Sequence, residues 1–105
     1  MRIYISGPVT GTKDAKERFA NAEKVLRAAG NEVINPFSIC ESMPESTKWM
    51  EYMDITLAAM RNADAVYMLK DWEESHGASV EYHYAAGTGK TIYYEYPDEF
   101  EEEKV

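Results

Sequence analysis

The sequence predicts an α/β domain: a parallel sheet of about four strands with helices on both faces, three layers in all. Three observations point there. Short runs of β-branched and aromatic residues alternate with longer stretches of helical period, in the order βαβαβαβ. Clusters of Gly, Pro and Asn punctuate those runs. Right-handed crossovers, the rule for parallel strands, then leave 2-1-3-4 as the favoured strand order.

In chain order, Arg2-Ile3-Tyr4-Ile5-Ser6 reads as the first strand, ended by the turn Gly7-Pro8-Val9-Thr10-Gly11-Thr12. From Lys13 to about Ala29 the period is helical. Phe19, Ala22, Leu26 and Ala29 share one face, charged residues hold the other, and Gly30 suits the position just past the helix end. Asn31 to Asn35 gives a second strand, closed by Pro36. Residues 37–47 show no period and read as a surface loop with room for one helical turn. Lys48 to Asn62 is helical again, with Trp49, Met53, Leu57 and Met60 as its apolar stripe and Asp54 beside that stripe. Residues 64–69 form a buried third strand, a third helix runs over about 76–88, and Lys90 to Tyr96 is the fourth strand. The expected organisation is one domain over 1–96 and an acidic tail over 97–105.

In an open parallel sheet, ligands bind beyond the carboxyl ends of the strands where the strand order reverses. With order 2-1-3-4 that point lies between strands one and three. The segments leaving those strands are the Gly7–Gly11 loop and the stretch Asp71–Glu81. Ser75 is a suitable N-cap, His76, Gly77 and Ala78 form the first helical turn, and Glu81 lies one turn further on. Helical side chains lean toward the N-terminus, so the Glu81 carboxylate is aimed over small residues at the sheet edge. A carboxylate there is a candidate nucleophile or base, although an early-turn glutamate is also favourable beside the helix dipole in solvent.

Tyr4 can orient that carboxylate, or satisfy its hydroxyl elsewhere. Asp54 borders a packed helix face, where it either binds ligand hydroxyls or is a half-exposed acid. Gly7, Pro8, Thr10 and Gly11 form a loop able to offer amides to an anion, yet it matches neither a Walker loop nor a dinucleotide fingerprint. Around the mouth, Trp72 can stack on a base or shield the strand end, and His76 can donate from the first turn.

Composition narrows the function classes. The net charge is −8, and no basic stripe is present, which argues against a nucleic-acid polymer as partner but leaves a small nucleotide open. One Cys, Cys40, excludes an intrachain disulfide and fits a reducing compartment. Two His and one Cys at wide spacing make no recognisable metal site, and no organic cofactor is expected. Apolar runs are shorter than a membrane span, so a soluble, cytoplasmic protein is expected.

The blocks Ile3-Tyr4-Ile5-Ser6-Gly7-Pro8-Val9-Thr10-Gly11, Asn35-Pro36, Asp64-Ala65-Val66 and Trp72 to Ala78 with Glu81 resemble a small uncharacterised domain family. That family is similar to nucleoside 2-deoxyribosyltransferases and 2′-deoxynucleoside 5′-monophosphate N-glycosidases. The resemblance implies a flavodoxin-like, Rossmann-like sandwich, with Glu81 as nucleophile, Tyr4 as its hydrogen-bonding partner and Asp54 as an acid contacting substrate. It implies that the loop from Gly7 lines the sugar or phosphate site. Ser75 matches the N-glycosidases, in which a serine helps hold a 5′-phosphate, whereas Pro8 and Thr10 replace the serine and arginine of their first loop.

The expected activity is cleavage or exchange of the N-glycosidic bond of 2′-deoxynucleosides or their 5′-monophosphates, within a homodimer or higher oligomer whose neighbour closes a shallow crevice. The alternative is a non-catalytic module that binds a nucleotide or a related metabolite. Substrate contacts are expected from Gly7, Pro8, Thr10, Gly11, Asp71, Trp72, Ser75, His76 and Gly77.

Overall fold

The computed structural model describes residues 1–9 and 12–96. Two expectations therefore lie outside the described residues: the loop positions Thr10 and Gly11, and the acidic tail over 97–105.

Strands β1 (Arg2–Ser6), β2 (Glu32–Ile34), β3 (Ala65–Met68) and β4 (Thr91–Tyr94) form one parallel sheet in the order β2-β1-β3-β4. The architecture and strand order are those the alternating pattern predicts. Helices α1 (Ala15–Ala28), α2 (Pro36–Cys40), α3 (Trp49–Arg61) and α4 (His76–Gly87) complete the chain. One face of the sheet packs Ile3, Ile5 and Leu69 against Phe19, Ala22 and Leu26 of α1. The other packs Tyr4, Val66 and Met68 against Met60 of α3 and Ala78 and Ala85 of α4.

That split follows from the twofold period of a strand, which sends Ile3 and Ile5 one way and Tyr4 and Ser6 the other. Four consecutive buried positions in β1, from Ile3 to Ser6, fit a strand covered on both faces.

Helix boundaries follow local chemistry. The α1 helix begins at Ala15, two residues later than its apolar period suggests. Lys48 is the N-cap of α3, where its amide donates to Glu51 Oε1 at 2.8 Å. The one helical turn allowed for in the stretch after Pro36 is α2, which starts there because Asn35 Oδ1 accepts from the amides of Phe37 at 3.0 Å and Ser38 at 3.4 Å. Pro36 sits at the first helical position, where its missing donor and fixed φ suit the turn. Pro36 thus opens a helix as well as closing a strand.

Between β3 and α4 the chain makes a short 3-10 turn over Trp72–Glu74, entered through Asp71 at φ 66°. An aspartate tolerates this left-handed conformation better than most residues. The turn drives Trp72 inward, where its ring stacks on Tyr82 with centroids 4.3 Å apart.

Candidate active site

The site is assembled by two periodicities. Alternation in β1 points Tyr4 and Ser6 to the same side, and the cap at Ser75 sets the phase of α4. Ser75 Oγ accepts from the amide of Ala78 at 3.2 Å, so the helix begins where the serine predicts. Glu81 is then turned inward over the end of β1 and is only 6% exposed. Its two oxygens each have their own donor. Tyr4 Oη donates to Glu81 Oε2 at 2.7 Å, and Ser6 Oγ donates to Glu81 Oε1 at 2.7 Å.

Burial is the largest influence on Glu81 and pushes its pKa above the ordinary glutamate value, because the charged form loses water. Hydroxyls of Ser6, Tyr4 and Thr56 pull the other way by favouring the carboxylate. Tyr4 is pushed well above the ordinary tyrosine value, first by burial and then by the charge and hydrogen bond of Glu81, so its proton stays in place as a donor. The Cys40 thiol is raised by burial and by the Glu81 charge, which disfavours the thiolate.

Above this floor opens a cleft of about 830 Å³, within the range of small-molecule sites. Phe37, Met43, Tyr52 and Met53 give it apolar walls. Trp49 of α3 and His76 of α4 stack across the rim at 4.7 Å and 19°. Two glycines permit close approach. A Cβ on Gly7 would lie 2.8 Å from both Cβ and Cδ1 of Leu69, so a side chain there would force Leu69 or the backbone to shift. A Cβ on Gly77 would lie 3.4 Å from Met53 Sδ, which lets the first turn of α4 nestle against α3.

Residues 1–94 match the family described as a domain of unknown function, DUF4406. The chain belongs to that family. A solved structure of a 2-deoxyribosyltransferase from the psychrotolerant bacterium Bacillus psychrosaccharolyticus is similar, with a TM-score of 0.71 and 20% identity. The likeness covers 90% of this chain and 71% of the other, and it is a likeness of fold. No curated protein matches the sequence.

Within this DUF4406 domain the predicted residues Tyr4, Gly7, Pro8, Ser75, His76, Gly77 and Glu81 all line the cleft. Three others do not. Asp54 is exposed: α3 turns Met53 and Thr56 inward, and at about 100° per residue Asp54 swings out toward solvent. Asp71 is exposed in its left-handed turn, away from the lining. Trp72 is buried against Tyr82 as core and leaves base stacking to other rings.

Sequence reasoning passed over Ser6, Thr56, Cys40, Trp49 and Tyr52 as site residues. The signal for Ser6 was present, since it stands two positions after Tyr4 in a strand. For Thr56 it was a polar residue three positions after Met53 on the inward stripe. Among the described residues no group of three His, Cys, Asp or Glu is arranged to hold a metal ion. No described helix is long and apolar enough to cross a membrane.

Proposed function

We propose that this chain breaks or exchanges the N-glycosidic bond of 2′-deoxynucleosides or their 5′-monophosphates, with Glu81 as the nucleophile. The observation that carries the reading is the buried Glu81 carboxyl, held by one donor on each oxygen at the floor of a cleft roomy enough for a nucleoside. A fold shared with a 2-deoxyribosyltransferase supports it.

A 2-deoxyribosyl C1′ readily develops oxocarbenium character, because no 2-hydroxyl withdraws electron density. Glu81 first stabilises that charge and then bonds to C1′ while the C1′–N electron pair leaves with the base. The departing nitrogen takes a proton from water or a rim group. Water then attacks C1′ and frees the sugar, or a second base attacks and gives a new nucleoside. Tyr4 and Ser6 hold the carboxylate in the attacking orientation throughout, and Tyr4 keeps its proton. Val9 and Trp49, both exposed and both lining the cleft, suit coverage by a second copy, in keeping with a homo-oligomer.

The test is incubation of the purified chain with deoxynucleosides and their 5′-monophosphates, with and without a second free base, followed by chromatography. Free base marks hydrolysis and an exchanged nucleoside marks transfer. The outward placement of Asp54 removes one acid from the site and favours a second reading, a non-catalytic metabolite-binding module. Intact ligand recovered after saturable binding would establish that reading instead.

A further inference from the structure

The charges around the cleft are one-sided. Among the described residues four glutamates line it, Glu41, Glu45 and Glu74 at the exposed rim and Glu81 at the floor, and neither Lys nor Arg does. Lys16 answers only Glu41, through an exposed ion pair at 3.0 Å. Arg18 is turned elsewhere, its Nη2 donating to the Lys70 carbonyl at 2.8 Å and lying 3.9 Å from Glu95 Oε1. The N-terminus of α4 contributes only about half a positive charge. One of its first amides, that of Ala78, is already taken by Ser75 Oγ. The walls are aromatic: Trp49 and Tyr52 with Phe37 offer faces that attract cations as well as stacking on bases.

Resting on the reading of Glu81 as a nucleophile, we infer that the cleft ranks its substrates by charge: an N-glycoside with a positively charged base first, a neutral nucleoside next, and a 5′-phosphorylated one last. A phosphate brought here meets several carboxylates, and no Lys or Arg among the described lining residues offers it a paired contact. A cationic base gains from the same field. It also removes a chemical demand. When Glu81 Oε bonds to C1′ and the C1′–N bond breaks, the electron pair neutralises the charged base, which departs without taking up a proton. Water then adds to C1′, the ester bond to Glu81 breaks, and one proton passes to solvent. The site therefore needs no buried acid beside the base, consistent with the outward placement of Asp54 and Asp71.

Three matched compounds test this: 7-methyl-2′-deoxyguanosine as the cation, 2′-deoxyguanosine as the neutral form, and its 5′-monophosphate as the anion. Because charged bases are intrinsically better leaving groups, the informative quantity is how kcat/KM for each changes between wild type and the double variant Glu45→Gln/Glu74→Gln. Comparing one compound across two proteins cancels its intrinsic reactivity. The expected result is a loss of about five- to tenfold for the cation, a gain of similar size for the monophosphate, and the least change for the neutral nucleoside, all shrinking at high salt. Equal changes for all three, or a wild type that prefers the monophosphate, would overturn the charge ranking while leaving the nucleophile reading standing. Failure of the folded wild type to process any of the three overturns both.

Discussion

Removing the hydroxyls that hold Glu81 should shift its titration in a direction and by an amount that the geometry sets. Tyr4→Phe deletes the donor to Oε2 and Ser6→Ala the donor to Oε1, each at 2.7 Å in a buried setting. Hydrogen bonds to charged groups contribute about 1.5–3 kcal/mol. Each donor favours the carboxylate over the acid, so deleting either makes the charged form less favourable by about that much and raises the pKa of Glu81 further. The shift can be read without any assumption about activity, by following the carbon-13 signal of the labelled Glu81 carboxyl against pH. Where turnover is present, the acid limb of the kcat/KM profile should move upward by the same amount. Ser6→Thr, which keeps a hydroxyl, should recover most of the shift. A Glu81 titration unmoved in both Tyr4→Phe and Ser6→Ala would refute the claim that these donors tune the carboxyl, and a downward shift would reverse it.

The same carboxyl predicts a stability effect. Because its folded pKa is raised above the ordinary value of 4.5, the folded state holds the proton more tightly than the unfolded chain. Stability therefore falls as pH climbs from 4.5 to the folded value, and ionised Glu81 opposes folding at neutral pH. Glu81→Gln should abolish turnover yet unfold at a Tm no lower than wild type at pH 7; a clear drop in Tm would show that the carboxylate supports the fold. Gly7→Ala should lower stability by about 1–3 kcal/mol in urea denaturation, since its Cβ overlaps Leu69, and trimming Leu69 in the same chain should make the added methyl less costly. Cys40 should alkylate slowly with iodoacetamide near pH 7 and faster in Glu81→Gln, because the Glu81 charge disfavours the thiolate; equal rates would remove that electrostatic link.

The fold was legible because each level of the sequence agreed with the next. The strand cores at Ile3–Ser6 and Ala65–Met68, the helical stripe Phe19-Ala22-Leu26 and the cap at Ser75 all gave the same architecture as the packing does. The α2 helix was obscured because five residues are too few to show a period, and only the Asn35-Pro36 pair announces it. At the cleft, the inward placement of Glu81 and Tyr4 could be read from phase alone. Asp54 is exposed, the second of the two placements open to a residue beside an apolar stripe, because α3 turns Met53, Thr56 and Met60 inward. Trp72 was placed at the mouth because a 3-10 turn entered through a left-handed aspartate leaves no periodic trace, yet it rotates the ring into the core.

The floor of the site is also the point where small errors of register are least tolerated. Slipping β1 by one residue against Val66 would exchange Tyr4 and Ser6 for Ile3 and Ile5, leaving Glu81 buried without either donor. Starting α4 one residue later would rotate Glu81 by about 100° and carry its carboxyl away from β1. The hydrophobic face of β1 guards the first register, since a slip would also turn its isoleucines away from α1. The second is guarded more lightly, by a single serine cap of about 1 kcal/mol and by the fit of Gly77 against Met53. Ser75→Ala should therefore lower activity by more than its small stability loss explains, and Ser75→Asp, which restores the cap, should recover the helix start. Turnover of Ser75→Ala equal to wild type would mean that packing between α3 and α4, rather than the cap, sets the phase of Glu81.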